Sequence, residues 1–316
     1  VNTLIGGLAG DALTEGNNNV AVGYNALTTD TKGDRNVSIG AGSLATQNFT
    51  TSTDSYNVAV GHNAGNAVTT GVNNVLVGGL AGDSLTDADF NIAVGVGAVG
   101  SDTLGSAAIG IGQGALGQQN FTTATTNYNI GIGYAAGGSI TTGTRNTIVG
   151  GLAGDAITTA DQNTVFGALA LSEETTGEYS VAVGYQALAV QNSTTGASMY
   201  NTAVGYKSGF SVTTGLQNTL IGALAGDALT EADRNVAVGT SALGADTLGS
   251  RSTAIGQGAL QLQNFTTATN AYNTAVGQSA GNQVTTGVNN TLIGALAGDA
   301  LTDADHNIAI GFNALT

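Results

Sequence analysis

At 316 residues the chain carries a net charge of −15 and only six Lys and Arg. It has no basic face for phosphate contacts, which excludes nucleic acid as a partner. Cys is absent, so neither a disulfide framework nor a thiol metal site exists, and no apolar run approaches membrane-spanning length. Gly at 50 with no Pro, beside a 41% apolar fraction, is not the composition of a disordered Gly-rich chain.

The chain opens on Asn2-Thr3-Leu4-Ile5-Gly6, and this five-residue motif returns at Asn19, Asn36, Asn57, Asn74 and onward to Asn307, 18 times in all. The first place is Asn except at Ala108, Ser180 and Ser252. The fourth place is Val or Ile except at Phe166, and the fifth is always Gly. Three residues past each Gly stands Ala, or Ser at Ser43 and Ser208. Successive motifs are spaced 17, 17, 21 and 17 residues, a 72-residue period. The super-repeats are therefore 2–73, 74–145, 146–217 and 218–289, with a partial fifth at 290–316, all in one repeat domain over 1–316. Val1 already stands inside the pattern, which points to a segment of a longer repetitive chain.

A fixed period of this kind predicts a solenoid rather than a globular pair of domains. Val, Ile and Thr at alternate places predict one short β-strand per motif, closed by the Gly at a positive-φ corner. The rest of each coil has room for one further short strand and corner. Stacked coils pair as parallel strands, and Asn at one fixed place predicts a side-chain ladder. A helical repeat fails for lack of any sustained 3.6-residue apolar period. The fold class expected is all-β, a parallel β-solenoid of 18 coils.

The stretches NTAVGYKSG (201–209), NVAVGYNAL (19–27) and STAIGQGAL (252–260) resemble the head repeats of trimeric autotransporter adhesins, and similar repeats occur in bacteriophage tail fibres. The resemblance covers essentially the whole chain. It implies a left-handed parallel β-roll in a homotrimeric fibre. The coils here are longer than the usual adhesin coil, and neck, stalk and membrane anchor are not among these residues. The fold therefore carries over and the secretion route does not.

For the motif strand the expectation is that places two and four point into the roll and place three points out. Place three is then an outward Leu4, Leu76, Ile148, Leu220 and Leu292 once per period, a second apolar face to be covered by another copy of the chain.

Little in the sequence supports chemistry. Gly95-Val-Gly97-Ala-Val-Gly100 and Gly112-Gln-Gly114-Ala-Leu-Gly117 match a dinucleotide fingerprint only through the repeat register, with no helix to follow. His62 and His306 share no partner spacing, and Glu173, Glu174 and Glu178 read as surface decoration. The pairs Thr69-Thr70 and Thr141-Thr142 stand four coils apart, too far for an ice-binding array. No catalytic residue and no cofactor is assigned, and the chain does not read as an enzyme. Asp11, Asp83, Asp155, Asp227 and Asp299 recur every 72 residues and are weak candidates for calcium against a corner role.

Each 21-residue coil carries four extra residues that should bulge outward. They bring Phe49 and Tyr56, Phe121 and Tyr128, Tyr200, and Phe265 and Tyr272, a candidate partner-binding ridge for a host-surface glycan or protein. The function expected is a structural and adhesive fibre segment, extracellular on a cell surface or virion, with itself as first partner and no membrane insertion. A self-assembling extracellular filament and a carbohydrate-processing solenoid are the alternatives.

Overall fold

A computed structural model describes all of residues 1–316. The protein is an all-β parallel β-solenoid of 18 coils without a helix. The coils fall into two compact units of nine, residues 1–160 and 161–316, each described by itself.

In the first unit the motif strands run from Thr3–Ile5 to Thr147–Val149, each three residues long and paired in parallel with the next. In the second they run from Thr164–Phe166 to Ile308–Ile310 in the same way. Register is strict. Thr3, Leu4 and Ile5 face Val20, Ala21 and Val22, and no pair slips. A second strand is confined to the second and third coils of a period. Gly33–Asp34 pairs Thr53–Asp54, Gly105–Ser106 pairs Thr125–Thr126, and Gly249–Ser250 pairs Thr269–Asn270. In the third copy this shrinks to a single bridge, Glu178 to Ser198.

The motif Gly is required by the stacking itself. Its φ lies between 126° and 145°, and within each unit a Cβ would come 2.3–2.7 Å from the backbone of the next motif Gly. No side chain fits, and no L-residue favours that φ.

The ladder of first-place Asn runs mainly from side chain to backbone. Asn57 Oδ1 accepts from Asn74 N at 2.9 Å, and Asn57 Nδ2 donates to Gly71 O at 2.7 Å. Amide-to-amide contacts are longer, as in Asn74 Nδ2 to Asn57 Oδ1 at 3.3 Å. Ala108 cannot pass the ladder on. Asn127 substitutes, its Oδ1 accepting from Asn129 N at 2.8 Å.

The strand faces are the reverse of the sequence expectation. Place three lies inside the roll, fully buried at Ala21, Leu76, Ile148, Leu220 and Leu292, while Leu4 points the same way on the uncovered first coil and is 42% exposed. Places two and four point outward, half-buried to exposed. The reason is the bore of the roll. It is too narrow for two β-branched side chains per strand and takes one residue, usually Ala. The fourth residue beyond the motif Gly completes the layer. It is Leu or Val where the core would otherwise be empty (Leu27, Leu44, Val99, Leu116) and Gly where a place-three Leu or Ile already fills it. A Cβ on Gly82 would lie 2.7 Å from Leu76 Cδ2, and one on Gly65 2.6 Å from Leu76 Cδ1. Leu76, Ile148, Leu220 and Leu292 are thus core residues, not an outward contact.

Candidate functional site

Two features of each period set what the surface presents. The first is a buried acid in the second coil, which fixes the long third coil. Asp30 Oδ1 accepts from Gly33 N at 3.0 Å and Phe49 N at 3.1 Å, and its Oδ2 accepts from Gln47 Nε2 at 2.6 Å. Gln47 Oε1 in turn accepts from Asn57 Nδ2 at 2.9 Å. Asp102 and Asp246 repeat the arrangement with Gln119 and Gln263. A buried carboxyl survives only when its oxygens are bonded, and here both are. In the first and fourth coils the same interior column is apolar, as Leu85 and Val68. The clasp was not anticipated from the sequence. Its signal was present: an acid and then Gln, 17 residues apart, in every copy.

The second feature is what the clasp holds out. The loop residues Thr50, Thr51 and Ser52, and their counterparts Thr122, Thr123 and Ala124, are exposed, so the insertion does bulge from the roll. Phe49, Phe121 and Phe265 do not belong to its surface. Their rings are 5–6% exposed and fold back beside the clasp, where Phe121 Cδ2 would be 2.7 Å from a Cβ on Gly105. Tyr56, Tyr128, Tyr200 and Tyr272 remain on the surface, each with about half its area or more in solvent. The candidate ridge therefore reduces to its Tyr residues. Backbone geometry places them: each has a φ of 49–54° and directly precedes the first place of a motif, a corner that turns the ring outward.

Three of these rings carry a stacked neighbour from the coil before. Arg35 Cζ lies 5.4 Å from the Tyr56 centroid, Arg251 Cζ lies 5.7 Å from that of Tyr272, and Tyr179 stacks on Tyr200 at 5.2 Å and 15°. Arg35 also pairs with Asp54, and this carboxylate with the Tyr56 hydroxyl raises the guanidinium pKa. A second aromatic stack, Tyr185 on Tyr206 at 5.8 Å, stands just past the motif Gly of adjacent coils, with Lys207 over Tyr206.

The recurrent Asp residues sit at corners. The backbone oxygens of Asp83, Asp155 and Asp227 accept from Ala67, Ser139 and Ser211 of the preceding coil at 3.0–3.2 Å. Asp11 Oδ1 accepts from Thr28 Oγ1 at 2.7 Å. Burial pushes the Asp83, Asp155 and Asp227 carboxyls up from their ordinary value, and Asp155 Oδ1 has no hydrogen-bond partner. None of the five belongs to a group of three or more acids and histidines able to hold a metal ion.

The outer face of the motif strands is uniform in composition within each unit. Places two and four hold only Val, Ile and Thr, with Phe166 the one exception, and carry no charge on any coil. Ile39, Ile111, Ile221, Ile255 and Ile293 are all more than a third exposed. The chain matches no protein-family model, and no curated protein is significantly similar to it.

Proposed function

We propose that the chain is a structural and adhesive segment of an extracellular fibre, on a cell or a virion, in which three copies associate through the outer faces of their motif strands. The observation that carries this is the uncharged β-branched face. A contiguous exposed apolar patch without charge marks an interaction surface, and these two columns form one. Burying half of a Val or Ile side chain contributes about 1 kcal/mol, and the two columns offer that at every coil. The three-fold arrangement and the left hand of the roll come from the resemblance to adhesin heads. Self-association through this face replaces the place-three contact expected from the sequence. The surface Tyr residues supply attachment, because aromatic rings give large contact area at low entropy cost and repetition along three chains adds avidity.

Sedimentation equilibrium tests the assembly. A mass of three chains is expected for the wild type. Val236→Lys with Val238→Lys, both outward on one strand, should lower the mass to one chain while the coils keep their thermal transition. A wild-type mass of one chain overturns the proposal.

A further inference from the structure

One surface Tyr lacks the partner that the others have. At Tyr128 the position occupied by Arg35, Tyr179 and Arg251 in the other copies is Ala107. A cavity of about 410 Å³ opens there, lined by Asp89, Phe90, Ser106, Ala107, Thr126 and Tyr128. Phe90 and Tyr128 are 60% and 59% exposed. They stand one coil either side of Ala107, about 9.6 Å apart at strand spacing. That separation admits one planar group between two rings.

The backbone around the cavity matches that around Arg251, whose Nε donates to Asn270 Oδ1 at 3.0 Å, and Thr126 stands at that place here. Ala107 N donates to Asp89 O at 3.0 Å, as Arg251 N donates to Asp233 O at 2.9 Å. Asp89 N donates to Ser106 Oγ at 3.0 Å, as Asp233 N donates to Ser250 Oγ at 2.9 Å. Val72 N donates to Asp89 Oδ1 at 2.7 Å, as Leu216 N donates to Asp233 Oδ1 at 2.7 Å. The backbone at Ala107 has φ 61°, at Arg251 65° and at Arg35 62°. The cavity is therefore the place that an arginine side chain fills in two of the other copies.

We propose that this notch binds the arginine side chain of a partner protein, its guanidinium stacked on Tyr128 between that ring and Phe90. Charge agrees with this occupant. Asp89 lines the notch with its second carboxyl oxygen uncommitted, and Oγ1 of Thr126 and the hydroxyl proton of Ser106 remain free to hydrogen-bond. Arg145 lies one coil beyond Tyr128, behind the ring, and is not part of the lining. At two strand spacings through water its repulsion weakens binding only about twofold. The other copies show that the guanidinium is the group this Tyr face takes, twice out of three. The inference rests on the exposed Tyr residues described above, but not on assembly.

The test is ligand-observed saturation-transfer NMR with acetyl-Gly-Arg-Gly-amide, its Lys counterpart and methyl β-glucoside. The arginine peptide should bind with a Kd on the order of tens of millimolar, as one stacked cation gives, and at least fivefold tighter than the lysine peptide. Ala107→Arg copies a residue that two other copies carry at the same φ, so it folds. It should fill the notch from within and weaken peptide binding at least tenfold. Tyr128→Ala should do the same by removing the ring. Equal binding of the lysine peptide, binding of the glucoside alone, or unchanged binding by Ala107→Arg overturns the proposal. The probe is small and monovalent, so these outcomes leave the fibre reading untouched, just as a single-chain mass leaves this one untouched.

Discussion

Asp246→Ala removes the acceptor at the centre of one clasp. Three buried donors lose their partner: Gly249 N and Phe265 N, each 3.0 Å from Oδ1, and Gln263 Nε2, 2.5 Å from Oδ2. An orphaned buried donor costs about 1–3 kcal/mol, so the local cost is at least about 3 kcal/mol. Asp246→Asn is milder. It keeps Oδ1 for the two backbone donors but turns an NH₂ towards Gln263 Nε2. Gln263 cannot simply flip its amide, because its Oε1 accepts from Asn273 Nδ2 at 2.8 Å and its Nε2 also donates to Ser252 Oγ at 3.0 Å. One pair is lost, about 1–2 kcal/mol. Coils open locally in a solenoid, so amide hydrogen exchange is the assay of choice. A loss of 3 kcal/mol speeds exchange at Gly249 and Phe265 about a hundredfold. The same amides around Asp102 serve as internal controls. If Asp246→Ala leaves Phe265 N protected as in the wild type, the carboxyl does not hold the long coil and the reasoning is wrong.

Leu220→Ala should cost about 2–5 kcal/mol in thermal or urea unfolding, because the side chain is fully buried in the bore. The assembled mass should not change, since Leu220 faces inward; loss of assembly without loss of stability would refute the orientation. Gly78→Ala forces a Cβ to within 2.5 Å of Gly95 O at a φ of 137°, so the coils either side should separate and their amides lose protection. Normal protection there would show that the stack yields more easily than its geometry implies. Stability against pH reports on Asp83, Asp155 and Asp227. Burial raises their folded pKa above the unfolded value of about 3.8, so the fold retains protons that the unfolded chain releases. Their contribution to stability therefore falls as pH rises from about 3.8 through the folded pKa. Replacing all three by Asn should flatten that part of the melting-temperature profile and raise the neutral-pH value; an unchanged profile would refute the assignment.

Spacing and Gly made most of the fold legible. The interval between motifs fixed the parallel register, and the invariant Gly marked the positive-φ corner but not the backbone contact between stacked coils. The orientation of the strand was not legible from alternation alone. Val-Ala-Val alternates equally well with either face inward. What decides it is the bore of the roll, read from the size exchange between Leu76 and its flanking Gly65 and Gly82. That exchange is written in the sequence, but as a correlation between non-adjacent positions rather than a local pattern. The Tyr residues were found because each insertion is marked by them. Phe49 was misplaced with them because proximity in sequence says nothing about which ring turns back. The stacking notch at Ala107 becomes visible only when each Tyr is set beside the residue one coil earlier.

The third copy shows which parts of the period are fixed by physics and which are free. Glu174 stands in place of Asp, and its Oε1 still accepts from Gly177 N at 2.6 Å and Ser193 N at 3.0 Å, while Oε2 still accepts from Gln191 Nε2 at 2.9 Å. The longer side chain also reaches Thr175 N and Thr176 N. Ser193 replaces the folded-back Phe, and Met199 fills interior space where the other copies have Ser55, Asn127 or Ala271. Three interior residues changed together, yet the same two backbone donors are bonded and Tyr200 is as exposed as its counterparts. The clasp is therefore constrained as a set of acceptors and a filled volume, not as particular side chains. The surface beside the Tyr obeys no such constraint. Arg, Ala, Tyr and Arg follow one another on nearly the same backbone, so the residue presented beside the Tyr varies from copy to copy while the coil that presents it does not.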